Sequence, residues 1–125
     1  MKMIETKQAP AAIGPYSQAV EVNGTLYVSG QIPFDPETMA LVSEDVKIQT
    51  EQCLKNIDAI VKEAGYAKEN IAKCVIFIKD MNDFGIINDA YAAYFGDHKP
   101  ARACVEVARL PKDVKVEIDA IAVQA

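Results

Sequence analysis

The sequence predicts an α+β domain: a mixed β-sheet with two helices packed on one of its faces. Three features lead there. Asn23-Gly24 is a hairpin signal near the start, a strand–helix–strand–helix alternation fills the middle, and two further strands end the chain. The expected order is β-β-α-β-α-β-β. The second face of such a sheet is left to meet water or another chain.

After an irregular start, Gln18 to Val22 and Thr25 to Gln31 read as two strands joined through Asn23-Gly24. That dipeptide suits a type I′ turn, which needs positive φ at both positions. Pro33-Phe34-Asp35-Pro36-Glu37 breaks the second strand into a loop. Ser43 with Glu44 and Asp45 then resembles an N-cap and an acidic first turn, opening a helix that stops at Gly65. Its apolar positions Val46, Cys53, Leu54, Ile57, Ile60, Val61 and Ala64 fall on one face. Cys74 to Ile78 is a short β-rich run, expected to be covered on both faces. A second helix, capped by Asn82 or Asp83 and stopped by Gly96, gathers Phe84, Ile87, Tyr91, Tyr94 and Phe95 on one side. Strands from Ala103 to Arg109 and from Lys115 to Val123, joined through Leu110-Pro111-Lys112-Asp113, finish the chain.

With 125 residues and no repeat or Gly/Ser linker, one domain spanning residues 1–125 is expected. Half of the residues are apolar and 25% are charged, the balance of an ordinary folded protein. No apolar stretch exceeds the six residues Ala90 to Phe95, too short to span a bilayer, and the N-terminus has no apolar signal core. Cys53, Cys74 and Cys104 form neither a disulfide framework nor a C-x-x-C pair, which points to a reducing, cytoplasmic setting. A net charge of −5, with only Arg102 and Arg109 among the thirteen bases being arginines, argues against a nucleic-acid partner.

Several chemistries lack their residues. The six glycines make no G-x-G-x-x-G and no Walker loop, and the single His98 cannot build a two-histidine metal site. His98, between Asp97 and Lys99, reads as a solvated loop histidine. What remains is the segment from Pro100 onward. Alternation places Arg102, Cys104, Glu106 and Ala108 on one face of a strand, while Glu117 and Asp119 share a face of the last strand. An Arg and a Glu on neighbouring strands would make a site, since a guanidinium fork fits a carboxylate and a partly desolvated Glu can move a proton. From the pattern alone the plainer reading is a surface cross-strand contact with no function. Cys104 reads as a small buried hydrophobe rather than a nucleophile, and Tyr16 and Ser29 as turn and strand residues.

The segment Pro100-Ala101-Arg102-Ala103-Cys104-Val105-Glu106-Val107-Ala108-Arg109-Leu110-Pro111, with Val116-Glu117-Ile118, resembles the C-terminal signature of the RidA/YjgF/UK114 family. Ala9 to Gln18, Ser29 to Pro33 and Lys79 to Phe84 are similar to its other motifs, in the same order. The resemblance covers almost the whole chain. It implies a chorismate-mutase-like fold, a homotrimer with ligand pockets at subunit interfaces, and hydrolysis of 2-iminobutanoate and 2-iminopropanoate. Those imines are released by pyridoxal-phosphate enzymes, and the products are 2-oxo acids and ammonia. By position, Arg102 would clamp the substrate carboxylate, Glu117 would activate water, and Tyr16 would close the pocket. Ser29, Gly30, Asn88 and Cys104 would line it. No cofactor and no metal is implied, because an imine is already electrophilic. Two alternatives stay open: a non-catalytic trimer binding small carboxylates, and an endoribonuclease or translation inhibitor. The loop Gly96-Asp97-His98-Lys99 is shorter than the family pattern, which bears on the pocket mouth.

Overall fold

Asn23 and Gly24 both take left-handed backbone, with φ of 51° and 75°, and so close the expected hairpin. In the computed structural model, which describes residues 1–125, that hairpin joins β2 (Ala19–Val22) to β3 (Thr25–Gln31). The remaining elements are β1 (Lys2–Ile4), α1 (Val46–Glu63), β4 (Ile71–Ile78), α2 (Phe84–Phe95), β5 (Ala101–Glu106) and β6 (Val116–Val123). They build one six-stranded sheet in the order β1-β2-β3-β6-β4-β5. Only β4 and β5 run parallel, as the α2 crossover between them requires; the other pairs are antiparallel.

Both helices cover one face. Leu26 and Val28, Cys74, Ile76 and Ile78, and Val116, Ile118 and Ala120 are buried there against Cys53, Leu54, Ile57 and Val61 of α1 and Ile87, Tyr91 and Phe95 of α2. The other face stays open. Register aligns Tyr27 with Ile121, Val75 with Asp119, and Phe77 with both Glu117 and Val105 across it. Tyr27 is 50% and Val105 43% exposed on it.

The expected boundaries shift where side-chain chemistry overrides pattern. Asp45, not Ser43, caps α1: its carboxylate accepts from Lys47 N and Ile48 N at 2.8 and 3.1 Å, while Ser43 Oγ takes Asp45 N. Asp83 sits at the cap position of α2 without a side-chain bond; Asp80 instead accepts from Asn82 N at 2.9 Å and turns the chain into the helix. β1 had no visible signal. β4 starts at Ile71, ahead of Cys74, and Val75 and Phe77 on it are only half covered, because no helix reaches the open face. β5 ends at Glu106, short of Arg109, whose guanidinium pairs with Asp113 at 2.7 Å in the following turn. His98 is not simply solvated: Nε2 lies 2.7 Å from the Ile71 carbonyl, which anchors the loop after α2 to the start of β4.

Three buried amides fix the loops around the open face. Gln18, 3% exposed, accepts from Thr6 N at 2.7 Å and donates to the carbonyls of Thr6, Ala9 and Pro10. Asn56 of α1 donates to Ile32 O and Phe34 O, and Gln49 accepts from Lys115 N at the entry to β6. Each satisfies backbone groups that would otherwise be stranded in a loop. The loops bearing Tyr16, Ile32 and Pro111 are thereby held at one end of the sheet.

Candidate active site

Arg102 stands on the edge strand β5, level with Cys74 of β4, so its side chain rises on the helix face. There α2 meets it with three residues. Phe84, Asn88 and Tyr91, four and three positions apart, project from one side of the helix. Arg102 Nη1 donates to Asn88 Oδ1 at 2.7 Å, and the guanidinium carbon lies 5.6 Å from the Phe84 ring centroid and 5.1 Å from that of Tyr91. The rest of the fork makes no bond within the chain. It faces a cavity of about 400 Å³ lined by Asn88, Tyr91, Phe95, His98, Lys99 and Arg102, among others. Two cations and no carboxylate border that space.

Glu117 stands on the opposite face. β6 carries it level with Phe77, on the open side of the sheet. Between β3 and β6 the register slips by one residue from Val28 to Gln31, a bulge at Ser29-Gly30 that re-aims this stretch over Glu117. Ser29 Oγ donates to Ser17 O at 2.6 Å, tying the bulge to the loop that holds Tyr16. Tyr16 is 47% exposed, and its hydroxyl accepts from Ile13 N. Together Ile13, Tyr16, Ser29, Gly30, Pro111 and Glu117 line a second cavity of about 370 Å³. Burial pushes the Glu117 carboxyl above the usual carboxylate range, and the negative charge of Asp119 adds to the rise.

The expectation of an Arg and a Glu on neighbouring strands therefore fails. β4 lies between β5 and β6, and the two side chains leave the sheet on opposite faces. One chain brings Arg102 and Asn88 together, and separately Tyr16, Ser29, Gly30 and Glu117. Cys104 packs half-buried against the core on the Arg102 side; burial raises its thiol, with Arg102 pulling the other way. Phe84, Tyr91, Lys99 and Pro111 were not singled out from the sequence. For the first two the signal was present in their spacing around Asn88, which a core stripe equally explains.

Gly30 has a concrete role. A Cβ there would run into the Glu117 carboxylate, with Cδ at only 2.9 Å. Its φ is not in the left-handed region, so alanine fits the backbone and the Glu117 side chain must yield. Gly30→Ala is expected to change stability by less than about 1 kcal/mol while displacing the Glu117 carboxylate. Thermal melts measure the first and a crystal structure of the variant the second; an unmoved carboxylate would show that the backbone yields instead.

The profile of the family described as Endoribonuclease L-PSP matches residues 6–124. The chain is 55% identical over 126 aligned residues to a 2-iminobutanoate/2-iminopropanoate deaminase of Salmonella typhimurium, covering 98% of each protein. It is 54% identical to the RutC family protein slr0709 of Synechocystis, covering 98% of this chain and 96% of that one. The crystal structure of Escherichia coli TdcF with bound serine superposes with a TM-score of 0.96 at 48% identity, covering all of both chains. On sequence, fold and length together, this chain belongs to the RidA/YjgF family, the family whose profile is described as Endoribonuclease L-PSP.

Proposed function

We propose that the protein hydrolyses small 2-imino acids, 2-iminobutanoate and 2-iminopropanoate among them, to 2-oxo acids and ammonia. It does so as a homotrimer whose sites form where the Arg102 cavity of one subunit meets the Glu117 cavity of the next. The observation behind this is the split site: an anion clamp on one face and a carboxylate of raised pKa on the other, each open and each missing the other's chemistry. The deaminase names of relatives more than half identical over nearly the whole chain support the reaction. The serine held by TdcF supports a ligand of amino-acid size.

In this reading the Arg102 fork binds the substrate carboxylate in a plane set by Asn88, Phe84 and Tyr91. Glu117 holds a water against C2. As the water oxygen bonds to C2, its proton passes to Glu117 and the C=N electron pair moves to nitrogen, which takes a proton from solvent water. The carbinolamine then collapses: Glu117 returns its proton to the amine, the C–N bond breaks, and the hydroxyl gives its proton to solvent as the carbonyl forms. Atoms and charge balance with water alone, and no electrons pass to the protein. Tyr16 closes over the site, Gly30 leaves room beside the backbone, and Ser29 and Cys104 wall it.

No helix of the protein is long and apolar enough to cross a membrane. The three free cysteines suit a reducing, cytoplasmic setting, which we propose for the enzyme. A net charge of −5 weighs against the ribonuclease reading despite the family's description. The test is direct. A threonine dehydratase generates 2-iminobutanoate in situ, and its decay is followed with and without the protein. Faster decay is expected; decay at the blank rate would reject this substrate.

A further inference from the structure

We infer that the cavity beside Arg102 holds the substrate's side chain, and that its second cation, Lys99, selects 2-imino acids bearing a second carboxylate. The inference rests on the imine-hydrolase reading for which end of the substrate Arg102 holds. The cavity, about 400 Å³, is of a size for a small metabolite. Its wall contains Arg102 and Lys99 and no aspartate or glutamate. Neither cation is spent within the chain, whose two ion pairs are Lys62–Asp58 and Arg109–Asp113. A ligand carrying one carboxylate occupies Arg102 and leaves Lys99 without an anionic partner from its own chain.

The chain places Lys99 there by a short path. Gly96, with φ of 62°, turns the backbone out of α2, and His98 Nε2 pins the loop to Ile71 O. Pro100 then keeps Lys99 extended, just ahead of the strand that bears Arg102. The same contact commits His98 Nε2 to Ile71 O rather than to the cavity. The C-terminal end of α2 would repel one, but the carbonyls of Ala92, Tyr94 and Phe95 already accept from Gly96 N, Lys68 Nζ and His98 N. Tyr91 and Phe95 supply an apolar floor for the methylenes between the two carboxylates. The chemical class is a diacid of about four or five carbons.

Binding decides this independently of turnover. Calorimetry on the native protein is expected to show 2-oxoglutarate binding more tightly than 2-oxobutanoate. Lys99→Ala should cut that preference about fivefold or more, as expected for one partly exposed ion pair, and Lys99→Arg should restore it. An equal preference in native protein and Lys99→Ala would overturn the inference. In turnover, the kcat/KM ratio for 2-iminosuccinate over 2-iminobutanoate, both generated in situ, should fall in Lys99→Ala by a similar factor. If the native protein hydrolyses neither imine yet the binding preference still depends on Lys99, the imine-hydrolase reading fails and the diacid pocket stands.

Discussion

Glu117→Ala is expected to slow imine decay by about two to four orders of magnitude, the usual worth of a positioned acid–base group, while a 2-oxo acid still binds. The clamp is kept, because Arg102 takes its position from Asn88, Phe84 and Tyr91 of its own chain and makes no bond to Glu117 there. Titration supplies a second signature. Burial and Asp119 raise the carboxyl, so the form that accepts a proton from water is lost on acidification at a pH above the ordinary glutamate range. Native kcat should fall through that region, and Glu117→Gln should show no such limb. The same shift has a sign for folding. A carboxyl whose pKa is higher folded than unfolded favours the fold in its protonated form, and that benefit disappears as pH rises through the folded value. Glu117→Gln should therefore melt higher than native protein at neutral pH, with the gap closing in acid. A stable, fully active Glu117→Ala would remove the proposed chemistry.

That result turns on a feature the sequence could not display. Alternation correctly grouped Arg102 with Cys104 and Glu106, and Glu117 with Asp119, because side-chain direction along a strand is a local property. Which strand lies beside which is not local. β6, last in the chain, inserts between β3 and β4, and this long-range pairing sets Arg102 and Glu117 on opposite faces. The two helices and the hairpin were legible for the first reason: periodicity, Asn23-Gly24 and the stop at Gly96 are written within a few residues. β1 was not, being three residues that gain strand form only by pairing with β2. Buried amides are equally hard to foresee. Gln18 and Asn56 look like ordinary polar residues until their carbonyl partners, supplied by loops distant in sequence or space, come into view. The family motifs overcame part of this by marking positions; geometry was needed to show that those positions fall into two groups on opposite faces of the sheet.

A split site makes the strongest expectation available for this protein. Arg102→Ala removes a fork whose charge-assisted bonds are worth on the order of 1.5–3 kcal/mol each, so turnover should drop by about two orders of magnitude. Arg102 is exposed and, besides its ring contacts, bonds only Asn88, so folding should barely change. Now mix equal amounts of Arg102→Ala and Glu117→Ala, unfold them together and let them reassemble. Where each site takes Arg102 from one subunit and Glu117 from its neighbour, random assembly rebuilds about a quarter of the sites with both residues native. Activity should return to roughly that fraction of the native value, from two preparations that are each nearly inactive. A site made within one chain gives no recovery whatever the mixing ratio, since every chain lacks one partner. In the proposed trimer, apolar residues of the open face such as Tyr27 and Val105 would give reassembly its driving force. Recovery should therefore disappear when a charge is placed on that face, as in Val105→Asp, even though Val105 touches neither Arg102 nor Glu117 within its own chain.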